Sequence, residues 1–443
     1  MSDTARKGIV RFAVGLAVLL VGLASPVRAT GSTAELETRV TALEAELREL
    51  KAQLAAMGAA AAAPTVATAP VTPLALAPAP SAADASIGGE VRTERPALTW
   101  FGYGELNYTR PTGDPGQARA DLGRFVIGAG YRFDERTRLQ SEIEIEHAVS
   151  SAGDPGEVEI EQAYIEHELG GDVRARAGLF LIPSGLLNEN HEPTRYYGVF
   201  RNAVETAIIP TTWREGGIGL QGLTRSGLRW DAGVTTGFDL SRWDAASSDG
   251  ADSPLGSIHQ ELALARAAQL SLYVAANYTG VNGLRIGASL FTGGASQRQP
   301  GLPDSRVTLW EGHARWQPGA WDFSALYARG HISNTAPFNL TLAGNPTLVP
   351  ETFFGGYLEA AWRARVGRSW PLVPFLRVER FNTGAAYAYL GAGLTPSARP
   401  DQTAYTGGLQ LEFAPGVIFK TDYVDYTDGN ALDRFDLGLG YEF

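Results

Sequence analysis

Residues 432–443 read LDRFDLGLGYEF, and the sequence stops there. Phe435, Leu437, Leu439, Tyr441 and Phe443 put an apolar side chain at every second position, with Asp436, Gly438, Gly440 and Glu442 between them. A period of two sends one set to one face of a strand and the other set to the opposite face. Soluble antiparallel sheets carry the same pattern, so this stretch alone does not say what solvent the apolar face meets. The ending is more informative. Soluble domains usually fray into small polar residues, whereas this sequence finishes in mid-strand on an aromatic.

The same period recurs from Leu98 onward. In RFVIGAGYRF (124–133), Phe125, Ile127, Ala129, Tyr131 and Phe133 alternate with a set that includes Arg124 and Arg132. In TRLQSEIEIEH (137–147), Leu139, Ile143 and Ile145 alternate with Arg138, Gln140, Glu142, Glu144 and Glu146. GLRWDAGVTTGF (227–238) sets Leu228, Trp230, Ala232, Val234 and Phe238 against Arg229 and Asp231. YLEAAWRARV (357–366) sets Leu358, Ala360, Trp362, Ala364 and Val366 against Glu359, Arg363 and Arg365.

The connections between these runs alternate in length. RPTGDPGQAR is followed by DERT, SSAGDPGE by GGD, a stretch near 184–213 by RSG, and one near 241–266 by GVNG. GGASQRQPGLPD then precedes PGA, a segment near 331–350 precedes GRSW, and another long joint precedes PG. DGNA leads into the terminal strand. Long and short joints in turn are how a transmembrane barrel separates its two rims. The expectation is an all-β chain: a transmembrane antiparallel β-barrel of about 16 strands over residues 98–443. Its last strand pairs with its first, its apolar face meets lipid, and no sheet edge is left open. The alternative, a soluble two-sheet sandwich, does not account for the alternating joints.

Composition agrees. The 443 residues include 52 Gly, 9 Trp, 16 Tyr and 18 Phe, which suits turns and aromatic girdles. With no Cys, disulfides and thiolate metal sites are excluded. A formal charge of −11 without a basic stripe argues against a nucleic-acid partner. A mean hydropathy of −0.10 is compatible with a membrane barrel, whose strands are only half apolar.

Residues 1–29 read as a secretory signal peptide, with Arg6, Lys7 and Arg11 ahead of the apolar run FAVGLAVLLVGLA and a VRA cleavage site before Thr30. A membrane anchor is the alternative, although the run is short for a spanning helix. Residues 30–57 carry a heptad seam, Leu36, Val40, Leu43, Leu47, Leu50, Leu54 and Met57, which predicts a periplasmic N-terminal coiled-coil helix. So short a helix is marginal alone and needs association, or a neighbouring domain to lie on. Within it RVTALE (39–44) resembles the signature of short trimeric coiled coils. Residues 58–97 form an Ala/Pro-rich linker, read as an extended spacer.

The stretch AGLFLIPSGLLNENHEPTRYYGVFRNAVETAIIPTTWREGGIGLQG (177–222), the strand pattern and the terminal Phe together carry a resemblance to the outer-membrane porin superfamily, nearest the phosphate-selective porin O and P family. That resemblance implies a homotrimer in the bacterial outer membrane that passes small hydrophilic solutes or ions by passive diffusion, with anions such as phosphate as the finer expectation. The arginine and lysine ladder of the phosphate-selective members is not matched residue by residue. After Lys51 the only lysine is Lys420, and the expected lumen wall mixes Arg132, Arg363, Arg365 and Lys420 with Glu142, Glu144, Glu359 and Asp422.

The long segment near 184–213 is the candidate pore constriction, with Glu189, His191, Glu192, Arg195, Arg201 and Glu205, and Arg214 just beyond. Opposed charges in a narrow throat screen solutes by charge and size. The alternative is a loop that packs on itself or on a neighbouring subunit, which Tyr196, Tyr197, Val199, Phe200, Ile208 and Ile209 would suit. Catalysis is not expected: Asn190 and His191 have no marked serine nucleophile nearby, and the six histidines show no metal-hydrolase spacing. No cofactor or metal is expected either. The competing function is a structural one, in which the coil tethers the outer membrane to peptidoglycan and the barrel is its anchor.

Overall fold

The computed structural model describes residues 97–149, 151, 153–366, 370–427 and 432–443. The signal peptide, the coil and the linker fall outside the described residues.

The regular secondary structure of the described residues is almost entirely strand. The long-joint hairpins begin with β1 (Leu98–Pro111) and β2 (Arg119–Arg132), followed by β3 (Thr137–Glu146), β4 (Glu157–Gly170), β5 (Val173–Leu181), β6 (Arg214–Leu223), β7 (Leu228–Thr235) and β8 (Ser271–Val281). The second half holds β9 (Leu284–Gly294), β10 (Arg306–Trp316), β11 (Trp321–Ile332), β12 (Thr352–Trp362), β13 (Ala364–Val366), β14 (Trp370–Ala386), β15 (Gln402–Ala414), β16 (Val417–Tyr426) and β17 (Arg434–Glu442). Apart from β12 and β13, which do not pair with each other, each pairs antiparallel with its neighbours in sequence, and β17 returns to β1. Because β12 and β13 both pair with β14 across a break at Arg363, they make one stave, and the seventeen strands form a closed barrel of sixteen staves.

One rim carries the short turns, including 133–136, 171–172, 282–283 and 415–416; the other carries 182–213, 236–270, 295–305, 333–351 and 387–401. Gly416, at φ +72°, supplies the left-handed conformation that the 415–416 turn requires.

The wall is apolar outside and polar inside. Val158, Ile160, Ile218, Leu272, Leu358 and Leu376 are exposed on the outer face, Leu376 at 70 %. Arg124, Glu142, Glu161, Arg176, Glu311, Asp322, Arg377 and Lys420 are buried within. A water-soluble protein of this size would invert that distribution. Trp100, Tyr131, Phe133, Trp316, Trp321, Phe323, Trp362 and Phe443 lie exposed around the short-turn rim, the position of an interfacial aromatic girdle.

The closing seam explains the sequence of 432–443. Tyr103 stands opposite Glu442 and Leu106 opposite Leu439. The Phe443 amide donates to the Gly102 carbonyl at 2.9 Å and the Gly102 amide returns the bond at 3.0 Å. A Cβ on Gly102 would sit 2.7 Å from the Phe443 ring, and one on Gly104 2.8 Å from the Tyr441 ring. The terminal aromatics therefore lie across glycines of β1. One outward assignment fails: Phe238 follows the end of β7 and is buried at 1 %, because the chain has already turned into the barrel.

Candidate functional site

The connection 182–213, between β5 and β6, folds into the barrel. Asn188 clamps its two ends: Nδ2 donates to the carbonyls of Ile182 (2.7 Å) and Trp213 (2.8 Å), while Oδ1 accepts from the Trp213 amide (2.7 Å). Glu205 then organises the interior of the loop. Its Oε1 accepts from the amides of Leu186 and Leu187 (2.6 and 2.8 Å), and its Oε2 from Asn202 Nδ2 and the Tyr357 hydroxyl (3.0 and 2.9 Å). Backbone donors inside a barrel must be paired, and one carboxylate serves two of them here. Gly185, at φ +75°, cannot carry a side chain, since a Cβ would lie 2.3 Å from Glu205 Oε1.

From this base the loop reaches walls on several sides. The Tyr196 hydroxyl donates to Glu105 of β1 (2.9 Å), and the Tyr197 hydroxyl to Asp322 of β11 (2.7 Å). Burial, with the Asp322 carboxylate beside it, pushes the Tyr197 phenol up to about 12. The Gly198 carbonyl accepts from Lys420 of β16 (2.8 Å), Asp422 accepts from the Val199 amide (2.6 Å), and Glu379 of β14 accepts from the Ala203 amide (2.8 Å). Arg124 of β2 donates to the His191 carbonyl (2.5 Å).

The segment 236–270 also enters the barrel. Phe238, Leu240, Trp243, Leu255 and Ile258 pack with Val204, Ile208 and Ile209 of the first loop and with inward Phe180, Tyr273, Phe291, Leu326, Phe353 and Tyr357. This apolar core occupies the interior beside β5 to β14. Sequence alternation cannot anticipate it, because these inward aromatics share a periodicity with polar inward residues elsewhere on the same strands.

The candidate throat residues are therefore mostly paired. Glu189 meets Arg229 (2.8 Å) and Arg176 (3.9 Å); His191 faces Glu161 (3.6 Å) and Tyr103 (2.6 Å). Glu192 meets Arg195 (3.7 Å), which also reaches Glu442 (3.3 Å), and Arg214 bridges Glu159 (2.5 Å) and Glu261 (3.1 Å). Arg201 donates to the hydroxyls of Thr211 and Thr212. Of the expected wall residues, Lys420 and Asp422 hold the loop tip, Glu142 is buried near His191, Glu144 is buried, Glu359 pairs with Arg377 (3.3 Å), and Arg363 with Asp322 (3.0 Å). Arg132 is half-buried at the short-turn rim. The Arg365 side chain lies outside the described residues.

Sequence reasoning missed Tyr103, Glu105, Arg124, Glu161, Asp322, Arg377 and Glu379. Arg124 stood in a strand whose alternation was plain, and EVEIEQAYIEHEL (157–169) carries Glu157, Glu159 and Glu161 at period two. The signal was present, but alternation does not say which inward residues a loop will touch.

Toward the short-turn rim the wall is rich in arginine. Arg315 binds Asp322 through Nε (3.0 Å) and Nη2 (2.7 Å), Arg138 binds Glu166 (2.6 Å), Arg229 binds Asp231 (3.0 Å), and Arg285 donates to Asn277 (2.8 Å). Arg138, Arg174 and Arg363 remain about half exposed.

A closed sixteen-stave barrel with a long connection folded inside is the porin-type fold, and comparison with one solved structure supports this. The chain superposes on OmpF of Salmonella typhi, solved in complex with daunomycin, with a TM-score of 0.55 at 13 % identity, covering 78 % of this chain and 97 % of that one. For the outer-membrane channel DcaP of Acinetobacter baumannii the TM-score is 0.49 at 13 % identity, over 78 % and 97 % of the two chains. No protein-family model matches the sequence. A protein of Aquifex aeolicus (strain VF5), described as uncharacterized, is 30 % identical over 354 residues, 77 % of this chain and 79 % of that protein. The chain belongs to the same family as this Aquifex protein.

Proposed function

We propose that the chain is a porin of the bacterial outer membrane, a passive diffusion channel for small hydrophilic solutes or ions. The observation that carries this reading is the reversal of polarity: a closed barrel with lipid-compatible residues outside and charged residues inside. A barrel serving only as an anchor has no need of so many charged groups within its wall, and this favours the channel over the tether. The short-turn rim then faces the periplasm and the long loops face outward.

Anions are the proposed cargo. The support is the arginine-rich mouth, where Arg138, Arg174, Arg229, Arg285, Arg315 and Arg363 outnumber the carboxylates Glu166, Glu189, Asp231 and Asp322 that pair with them. Phosphate is the narrower form of this proposal. The 182–213 loop is proposed as the constriction, and Leu36 to Met57 as a periplasmic coil that helps a homotrimer form, with peptidoglycan as a candidate partner.

The test is a planar bilayer holding the refolded full chain under a salt gradient, first of chloride and then of phosphate. Stepwise conductance with a reversal potential of anionic sign supports the reading. A folded protein that inserts and never conducts refutes the channel.

A further inference from the structure

We infer that Glu142, Glu161 and His191 form a binding site for a divalent first-row transition metal, which fastens the inner loop to the barrel wall. Their ligand atoms all lie within 4.8 Å of one another, and the residues are 6 %, 0 % and 3 % exposed. Glu142 comes from β3, Glu161 from β4 and His191 from the 182–213 connection, so one ion would join two staves to the loop.

The imidazole is oriented as a ligand. His191 Nδ1 lies 3.0 Å from the Asn188 carbonyl, which can only accept, so Nδ1 carries a proton there, and Nε2 is directed at the carboxylates. A second-shell carbonyl on the far nitrogen is the usual way a metal-binding histidine is held. Asn188 is also the residue that clamps the ends of the loop, so the same residue fixes the loop and aims the ring.

Glu161 is placed there by a β-bulge. Glu142 stands opposite Gln162 and Ile143 opposite Ile160, which leaves Glu161 as the extra residue of β4. Bulges re-aim side chains next to functional sites. Glu161 Oε1 then ends in the cluster, fully buried and with no hydrogen-bond partner.

The remaining neighbours do not satisfy the site. The Tyr103 hydroxyl is 2.9 Å from Glu161 Oε2 and 2.6 Å from His191 Nε2, and its single proton cannot serve both. Arg124, a guanidinium beside the cluster, is already engaged: it binds Glu105 at 2.8 Å and the His191 carbonyl. Glu144 adds a third buried carboxylate two residues along β3. Several buried carboxylates gathered around one imidazole call for a cation. Mixed carboxylate and imidazole ligands favour Zn²⁺ or Mn²⁺ over the oxygen-only preference of Ca²⁺ and Mg²⁺.

The test uses the untagged full chain, folded in detergent, stripped with chelator and then given Zn²⁺ or Mn²⁺. Elemental analysis after desalting should find about one metal per chain, and the unfolding temperature should rise on loading. Glu161→Gln and His191→Gln, each checked for heat-modifiable mobility as evidence of a folded barrel, should fall to background metal and lose the temperature rise. Tyr103→Phe should bind about tenfold more weakly, as second-shell losses do. A stripped wild type that takes up no metal, or variants that bind as well as wild type, would overturn the site and leave the carboxylates sharing protons. The readout involves no conductance, so it fails or succeeds separately from the channel reading.

Discussion

Lys420 Nζ donates to the Gly198 carbonyl at 2.8 Å and stands 3.7 Å from the centre of the Tyr196 ring, joining stave β16 to the tip of the inner loop. The chain's only lysine beyond residue 51 is thus buried at 2 %, with its charge enclosed by the loop it holds. Lys420→Met keeps the length of the side chain and leaves a buried carbonyl without a donor, a loss of about 1–3 kcal/mol. Hydrogen exchange of residues 196–200 should accelerate while the strands stay protected. Unchanged exchange at the tip would mean the bond does not restrain the loop.

Removing the loop tests its place in the permeation path. Deleting residues 189–203 spares the Asn188 clamp on Ile182 and Trp213, so β5 and β6 keep their connection. Single-channel conductance should rise in the correctly folded barrel. Arg201→Glu reverses a charge that donates to the hydroxyls of Thr211 and Thr212, and should shift selectivity towards cations. Both effects should shrink as salt rises, because screening at physiological ionic strength acts within about 8 Å. Conductance and reversal potential that ignore the deletion would place the loop outside the path.

Much of the barrel was legible because its physics is local. Alternation in 124–133 and 357–366 set inward and outward faces, and joint length separated the rims before any pairing was known. The site was less legible, since pairing across the lumen depends on register and loop path. His191 and Glu142 were both named from the sequence, for unrelated reasons, as throat and wall. Nothing local says that they meet, and Glu161, which joins them, depends on a bulge invisible to period counting. Phe238 misled because its spacing continues β7 after the strand has ended.

The lipid-facing assignment is tested on the outer wall. Leu272 and Leu376 are 57 % and 70 % exposed, on different staves. An arginine at Leu376, well inside β14, should cost about 2–4 kcal/mol, as near the bilayer midplane, whereas one at Leu272, the second residue of β8, should cost only about 0–1 kcal/mol, as near the rim. The expected result is less heat-modifiable barrel in the membrane fraction for Leu376→Arg than for wild type, with Leu272→Arg closer to wild type. If Leu376→Arg assembles at wild-type yield, this face does not meet lipid.

The proposed coil can be separated from the barrel. A peptide of residues 30–60 should sediment as a trimer through the seam of Val40, Leu43, Leu47 and Leu50. Leu43→Asp together with Leu47→Asp should reduce it to monomer. An unmutated peptide that is already monomeric would remove the coil from the assembly.

Asp322 offers the sharpest test of anion passage. This fully buried carboxylate accepts from Arg315 (2.7 and 3.0 Å), Arg363 (3.0 Å), Gln317 (2.7 Å) and Tyr197 (2.7 Å). Asp322→Asn keeps the shape and an acceptor for Tyr197 but removes the negative charge, leaving Arg315 and Arg363 uncompensated. Breaking a fully buried ion pair costs about 3–5 kcal/mol. Here the two arginines are 29 % and 47 % exposed, so solvent screens them and the cost should fall at or below the lower end. The barrel should therefore still fold, but lose its compact electrophoretic form at a lower temperature. Low-dielectric walls concentrate the field of the freed guanidinium groups in the mouth. The reversal potential under a chloride gradient should move further towards the anion limit, and the shift should fade at high salt. An unchanged potential in a variant shown to be destabilised would mean that ions pass elsewhere than along the arginine-lined wall.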